Sequence, residues 1–267
     1  MNSKTINNIK EILEIIESLN LEYDIEKSFK IIKSTILQNR FLIGIRCEKK
    51  SVEQITYICT KMNMPDKQLK IFLENLSDAN MLLLGFEENE NHSIYKIYLE
   101  FWDRLKNRLY NQPKHIKSEL LYIGFKWNQI DNTNNVITKY ICHPLLTVRS
   151  IVKRISSFYN NYDDKTSLHI VNDIIKIADK RIVNDSFIYL EVSEENNPRE
   201  SFDINLYKAN LQVKDIYPIL LKICHNYSIN CKDFDLLYSH ICDKNLGHLS
   251  GGIDREGRDF ITIYYEV

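Results

Sequence analysis

Five stretches of this chain repeat one construction, an alternating segment, a polar turn and a second alternating segment, and that repetition limits the available folds more than any other feature. In "SIYKIYLEF" (93–101) a period of two sets Ile94, Lys96, Tyr98 and Glu100 on one face and Tyr95, Ile97, Leu99 and Phe101 on the other. With "LLLGFEE" before it, across the Asn-rich turn 89–91, it reads as a β-hairpin. "LLYIGFKWNQIDNTNNVITKYIC" repeats the arrangement, Ile123-Gly124-Phe125-Lys126 echoing Leu84-Gly85-Phe86-Glu87. Upstream, "FLIGIRCEKKSVEQITYIC" offers Ile43-Gly44-Ile45-Arg46 and then Ile55 to Cys59 as a strand pair. "FIYLEVSEENNPRESFDINLY" and the C-terminal "GHLSGGIDREGRDFITIYYEV" complete five hairpins, hence ten strands.

Between the hairpins the apolar spacing changes to three and four, as in "PDKQLKIFLENLSDA", "VRSIVKRISSFYNN" and "SLHIVNDIIKIADKRI". Helices therefore alternate with hairpins, and five such units can close into a sheet without an edge. The expected fold is α+β: a closed ten-stranded antiparallel β-barrel built from five helix-hairpin repeats, with the helices outside. It is expected as a single domain over 1–267, with N-terminal helices in 1–38 and the five repeats with their intervening helices in 39–267. The apolar strand faces need the amphipathic helices as cover, so the polar faces look inward. A ten-stranded barrel is wider than side chains alone can fill, and a ligand-holding lumen follows.

At 267 residues and 44% hydrophobic content the chain can bury a substantial core. A net charge of −1 with 27% charged residues excludes a general nucleic-acid or membrane-surface binder, so any charged site is local. The N-terminus reads as an amphipathic helix without a cleavable apolar core, and no apolar run reaches membrane-spanning length. A cytoplasmic protein is expected, and the sequons "NHS" and "NDS", at Asn91 and Asn184, are not read as glycosylation sites. The six cysteines form no C-x-x-C pair and are expected as reduced thiols. The spacing of Cys231, His240, Cys242 and His248 matches no usual zinc site.

Aligning the hairpins in register places Tyr57, Tyr98, Tyr140 and Tyr264 at one position of the second strands, with Asn205 in the remaining repeat. The first strands place Arg46, Glu87, Lys126, Glu191 and Asp254 in a ring. Tyr189 and Glu191 are expected on the same face as Asp203, Asn205 and Tyr207, and Thr138 and Thr262 are also expected to face inward. Phenol faces stabilise a carbocation and exclude water. Lys and Arg hold a diphosphate as it leaves. A carboxylate takes the proton from the nucleophile, and Glu87 and Glu191 are the candidates.

These residues resemble those of the ABBA-type, or PT-barrel, prenyltransferases, over roughly 39–267 as architecture. "YKIY" is similar to the family's Lys-x-Tyr on a barrel strand that contacts the prenyl diphosphate. The resemblance implies prenyl transfer from a prenyl diphosphate to an aromatic or peptide side-chain acceptor. It implies diphosphate binding by Arg46, Lys96 and Lys126 and a tyrosine shield of Tyr57, Tyr98, Tyr140 and Tyr264. Thr138, Asp203 and Thr262 depart from it by standing where further cations would be welcome. The acids of the lumen suggest Mg²⁺ held by Glu87, Glu191 or Asp254. Two other readings compete: a non-catalytic barrel that binds a ligand or assists a biosynthetic system, and a winged-helix DNA-binding regulator over 51–99, whose recognition helix is not basic.

Overall fold

The computed structural model describes residues 3–47, 51–88, 93–111, 116–182 and 187–267. The Asn-rich turn 89–91 and the sequon asparagines Asn91 and Asn184 lie outside the described residues. The chain runs α1 (Ser3–Ser18), β1 (Asp24–Ile32), β2 (Thr35–Leu37), β3 (Arg40–Arg46), α2 (Val52–Lys61), α3 (Asp66–Leu76), β4 (Met81–Glu88), β5 (Ser93–Glu100), α4 (Trp102–Asn111), β6 (Glu119–Asn128) and β7 (Asn135–Cys142). It continues α5 (Val148–Phe158), α6 (Thr166–Asp179), β8 (Ile188–Glu194), β9 (Glu200–Asn205), α7 (Tyr217–Asn226), α8 (Cys231–Ile241), β10 (Leu246–Ile253) and β11 (Asp259–Glu266). The chain divides into two compact units, the first comprising 1–25, 39–116 and 120–140, the second 26–38, 117–119 and 141–267.

In the first unit the strands run β3-β4-β5-β6-β7. Pairing is antiparallel and unbroken from Arg40↔Glu87 to Arg46↔Met81 and from Met81↔Glu100 to Glu88↔Ser93. Alternation then sorts the side chains as the sequence requires. Tyr95, Ile97, Leu99 and Phe125 are buried with Ile55 and Ile58 of α2 and Phe72 of α3. Each such buried side chain contributes about 1.5–3 kcal/mol. Phe72 meets Phe125 edge-on at 5.7 Å between ring centroids. Lys96, Tyr98 and Glu100 take the opposite face.

The second unit orders its strands β8-β9-β10-β11-β1-β2. The first long strand of the chain thus pairs with the last, antiparallel from Glu26↔Glu266 to Ile31↔Ile261. Phe202, Ile204, Ile261 and Ile263 are buried with Ile151 of α5 and Ile170 and Ile174 of α6. Asp203, Ser250 and Thr262 form one row across β9, β10 and β11 on the other face.

Three expectations are corrected. Residues 24–32, expected to be helical, form β1, which makes up the expected ten strands with β3 to β11, and the three-residue β2 is added to them. The segment "ITYIC", expected as a strand, lies in helix α2. Its N-terminus is a capping box in which Ser51 Oγ accepts from Gln54 N at 3.1 Å and Gln54 Oε1 accepts from Ser51 N at 3.2 Å. β-Propensity in five residues yields to that cap and to the burial of Ile55, Ile58 and Cys59 at helical spacing. In β8 the register is one residue from that expected: Leu190, not Tyr189 or Glu191, is opposite Asp203. A slip of one residue exchanges the faces of a strand. Tyr189 and Glu191 therefore lie on the helix-packed side.

The winged-helix reading placed two helices and a hairpin in 51–99, and α2, α3, β4 and β5 lie there. β4 and β5, however, continue into a ladder with β3 and β6. Among the described residues no helix is long and apolar enough to cross a membrane.

Candidate active site

The polar face of the first unit is built in tiers, one per pleat, about 6.8 Å apart. One tier holds Arg40, Glu87, Ile94 and Asn128 in succession across four strands. The next holds Leu42, Gly85, Lys96 and Lys126, the third Gly44, Leu83, Tyr98 and Gly124, and the fourth Arg46, Met81, Glu100 and Tyr122.

The first two tiers carry a cation cluster. Glu87 is ion-paired with both Arg40 and Lys96. Arg40 and Lys126 are buried, at 8% and 6% exposure. Lys96 and Lys126 are directly cross-strand. In the ion pairs described, Arg40 and Lys96 share Glu87, and Lys126 stands beside Lys96 on the next strand. Three cations gathered on one face can hold an anion with several oxygens through charge-assisted hydrogen bonds.

The third and fourth tiers carry the aromatic rings. Tyr140 from β7 meets Tyr98 at 5.8 Å and 76° and Tyr122 at 5.9 Å and 78°, both edge to face. The glycines of the repeated strand phrase make this possible. A Cβ on Gly124 would stand 2.7 Å from two ring carbons of Tyr98, and one on Gly85 would stand 3.1 Å from Lys96 Cβ. Each glycine is the bed on which the functional side chain of the neighbouring strand lies.

In the second unit the polar face is acidic and aromatic. His248 Nδ1 is 2.7 Å from Asp203 Oδ1, and its ring meets Tyr207 at 5.5 Å and Tyr264 at 5.8 Å. Tyr207 donates to Glu26 at 2.6 Å. Burial raises the Glu26 carboxyl pKa above its ordinary value despite the nearby His248 and the Tyr207 hydroxyl, so this group is suited to accepting a proton.

The remaining expected residues are placed as follows. Arg46 is exposed and lies six residues along β3 from the Arg40–Glu87 pair, about 20 Å away, so the expected ring of Arg46, Glu87 and Lys126 does not form. Tyr57 is 45% exposed on α2, its ring beneath Lys61. Glu191 is bound by Arg154 at 2.6 Å and His143 at 3.1 Å. Burial pushes its pKa up, but those hydrogen bonds and charges outweigh burial and hold it at about 2. A base that weak, on the helix-packed side, is unsuited to proton transfer. Asp254 caps the β10–β11 turn through the backbone of Glu256 and Arg258 and the Arg258 side chain. Asn205 Nδ2 lies 3.4 Å from His248 Nε2. Thr138 and Thr262 are buried. The Mg²⁺ set is not supported by these surroundings: Glu87 is committed to two cations, Glu191 to an arginine and a histidine, and Asp254 to a turn.

Arg40, Tyr122 and Glu26 were missed. Arg40 has the parity of Arg46 in "RFLIGIR", and Tyr122 that of Gly124 and Lys126 in "LYIGFKW". Glu26 falls in the segment misread as helical.

Comparison with solved structures completes the picture. The chain matches 5-dimethylallyltryptophan synthase from Streptomyces coelicolor with a TM-score of 0.61 at 12% identity, over 91% of this chain and 81% of that one. NotF prenyltransferase matches with a TM-score of 0.55 at 11% identity, over 91% and 80%. AnaPT from Neosartorya fischeri matches at 0.53 and 11%, over 91% and 78%. The fold is that of the ABBA-type prenyltransferases. No protein-family model and no curated protein sequence matches the chain. The ABBA-type likeness is therefore one of backbone fold, at 11–12% sequence identity.

Proposed function

We propose that this protein is a prenyltransferase that moves a prenyl group from a prenyl diphosphate to an aromatic or peptide side-chain acceptor. The observation that carries this reading is the adjacency, within one unit, of the Arg40–Lys96–Lys126 cluster and the Tyr98–Tyr140–Tyr122 rings. The cations hold the diphosphate and stabilise the charge it gains as the C–O bond breaks. The ring faces, one pleat away, stabilise the allylic cation left behind and keep water from it. Glu87, expected as the base, acts in this reading as the group that fixes Arg40 and Lys96 in place.

Two neighbours support the substrate classes. The S. coelicolor synthase has been solved in complex with DMASPP and Trp, and NotF in complex with brevianamide F and DMSPP. The reading includes the finer architecture of five helix-hairpin repeats in a single domain with helices outside, which the alternation of helices and strand pairs along the chain supports. It also includes a cytoplasmic setting, supported by six cysteines that are all free thiols.

The test is incubation of the purified protein with dimethylallyl or geranyl diphosphate and a panel of tryptophan, tryptophan-containing cyclic dipeptides and tyrosine peptides, with and without Mg²⁺. Mass spectrometry is expected to show one prenyl increment on an aromatic acceptor. Tight binding of the diphosphate with no transfer to any acceptor and no hydrolysis would favour the non-catalytic barrel.

A further inference from the structure

Glu100 ends β5 one pleat beyond Tyr98, on the same face, directly opposite Tyr122. The Tyr122 hydroxyl donates to its carboxylate at 2.7 Å. Tyr122 in turn holds Tyr140 edge to face at 78°, and Tyr140 holds Tyr98 at 76°. Tyr98 lies over Gly124, where no side chain props it from below. Tyr98 is thus braced laterally by a chain of rings that ends at the Tyr122 hydroxyl.

We infer that Glu100 is a positioning residue for the prenyl-transfer reaction: by fixing Tyr122 it fixes the ring stack that shields the carbocation. The inference rests on the prenyltransferase reading. Glu100 acts through Tyr122 and touches no reacting atom. A ring anchored through its hydroxyl cannot swing about its Cα–Cβ bond without breaking a charge-assisted hydrogen bond. Loss of the tether removes one hold on Tyr122 and, through the ring contacts, on Tyr140, opening a path for water beside Tyr98. The consequence is a change in product partition, because a cation that meets water yields prenyl alcohol in place of prenylated acceptor.

The test compares Glu100→Ala, Glu100→Gln and Tyr122→Phe with the wild-type chain, all first checked for an unchanged melting temperature. With dimethylallyl diphosphate and tryptophan, the ratio of prenyl alcohol to prenylated product is expected to rise several-fold in Glu100→Ala and Tyr122→Phe. The dissociation constant for dimethylallyl S-thiolodiphosphate is expected to stay within twofold. Glu100→Gln, whose amide oxygen still accepts from Tyr122, is expected to restore the wild-type ratio, and the double variant Glu100→Ala/Tyr122→Phe to be no worse than either single one. An unchanged ratio in Glu100→Ala, a Gln variant as impaired as Ala, or additive losses in the double variant would overturn the inference. If the wild-type chain forms neither alcohol nor adduct, the prenyl-transfer reading fails instead. The tether is then read by near-ultraviolet circular dichroism of the tyrosines, where identical spectra for wild type and Tyr122→Phe apart from the lost chromophore would refute it.

Discussion

Lys96 and Lys126 stand directly opposite each other on neighbouring strands, on a face where the ion pairs described include one carboxylate, Glu87, already shared between Lys96 and Arg40. A sheet does not gain stability from such a pair. Replacement of Lys126 by Met, which keeps the stem and removes the charge, is expected to weaken diphosphate binding by one to two orders of magnitude, as loss of a charged hydrogen-bond partner costs about 1.5–3 kcal/mol. A calorimetric titration with inorganic pyrophosphate measures the loss, with a thermal melt to check that the variant is folded.

Gly124 tests the ring stack from beneath. In Gly124→Ala the new methyl would meet Tyr98 ring carbons at 2.7 Å, so the ring must move. The expected cost is about 1–3 kcal/mol of stability, with loss of turnover, from overpacking. Gly85→Ala, with its nearest contact at 3.1 Å, is expected to cost less. Urea titration of both variants checks the order.

Glu191 and Asp259 are expected to respond to pH with opposite signs. Glu191, held at about 2 because His143 and Arg154 outweigh its burial, contributes stability that is present above the ordinary carboxylate range and lost as pH falls toward 2. Glu191→Gln is therefore expected to flatten the acid limb of the stability profile between about pH 4.5 and 2.

Asp259 is pushed upward by burial, although Ser167 and Tyr227 both donate to it. Its folded form favours the proton, so its contribution is greatest at low pH and is lost as pH rises through the raised value. Asp259→Asn keeps an oxygen for both donors. It is expected to match or exceed the wild type in stability at neutral pH and to lose that advantage in acid, as followed by denaturant melts across pH.

Much of the fold was legible because period-two alternation in "SIYKIYLEF" and "LLYIGFKW" is unambiguous when five related phrases repeat. The identity of the polar face at Lys96, Tyr98, Lys126 and Tyr140 followed directly from that period. What failed was local. "ITYIC" has residues that suit a strand, and only the Ser51–Gln54 cap and the partners Phe72 and Leu76, distant in sequence, make it a helix. The face of β8 depended on a one-residue register that the "NNP" turn does not specify, which moved Tyr189 and Glu191 to the helix side. Arg40 was hidden at a strand start, and Glu26 in a strand whose pairing partner, β11, lies at the far end of the chain.

In the proposed reaction Arg40, Lys96 and Lys126 grip the diphosphate of a prenyl donor. The most direct measurement is isothermal titration of the wild-type chain and Lys96→Ala with dimethylallyl S-thiolodiphosphate at two salt concentrations. The expected result is saturable binding by the wild type that weakens with salt, and binding at least tenfold weaker in a folded Lys96→Ala variant. Equal affinity of the two proteins, or no binding by the wild type, would contradict the claim.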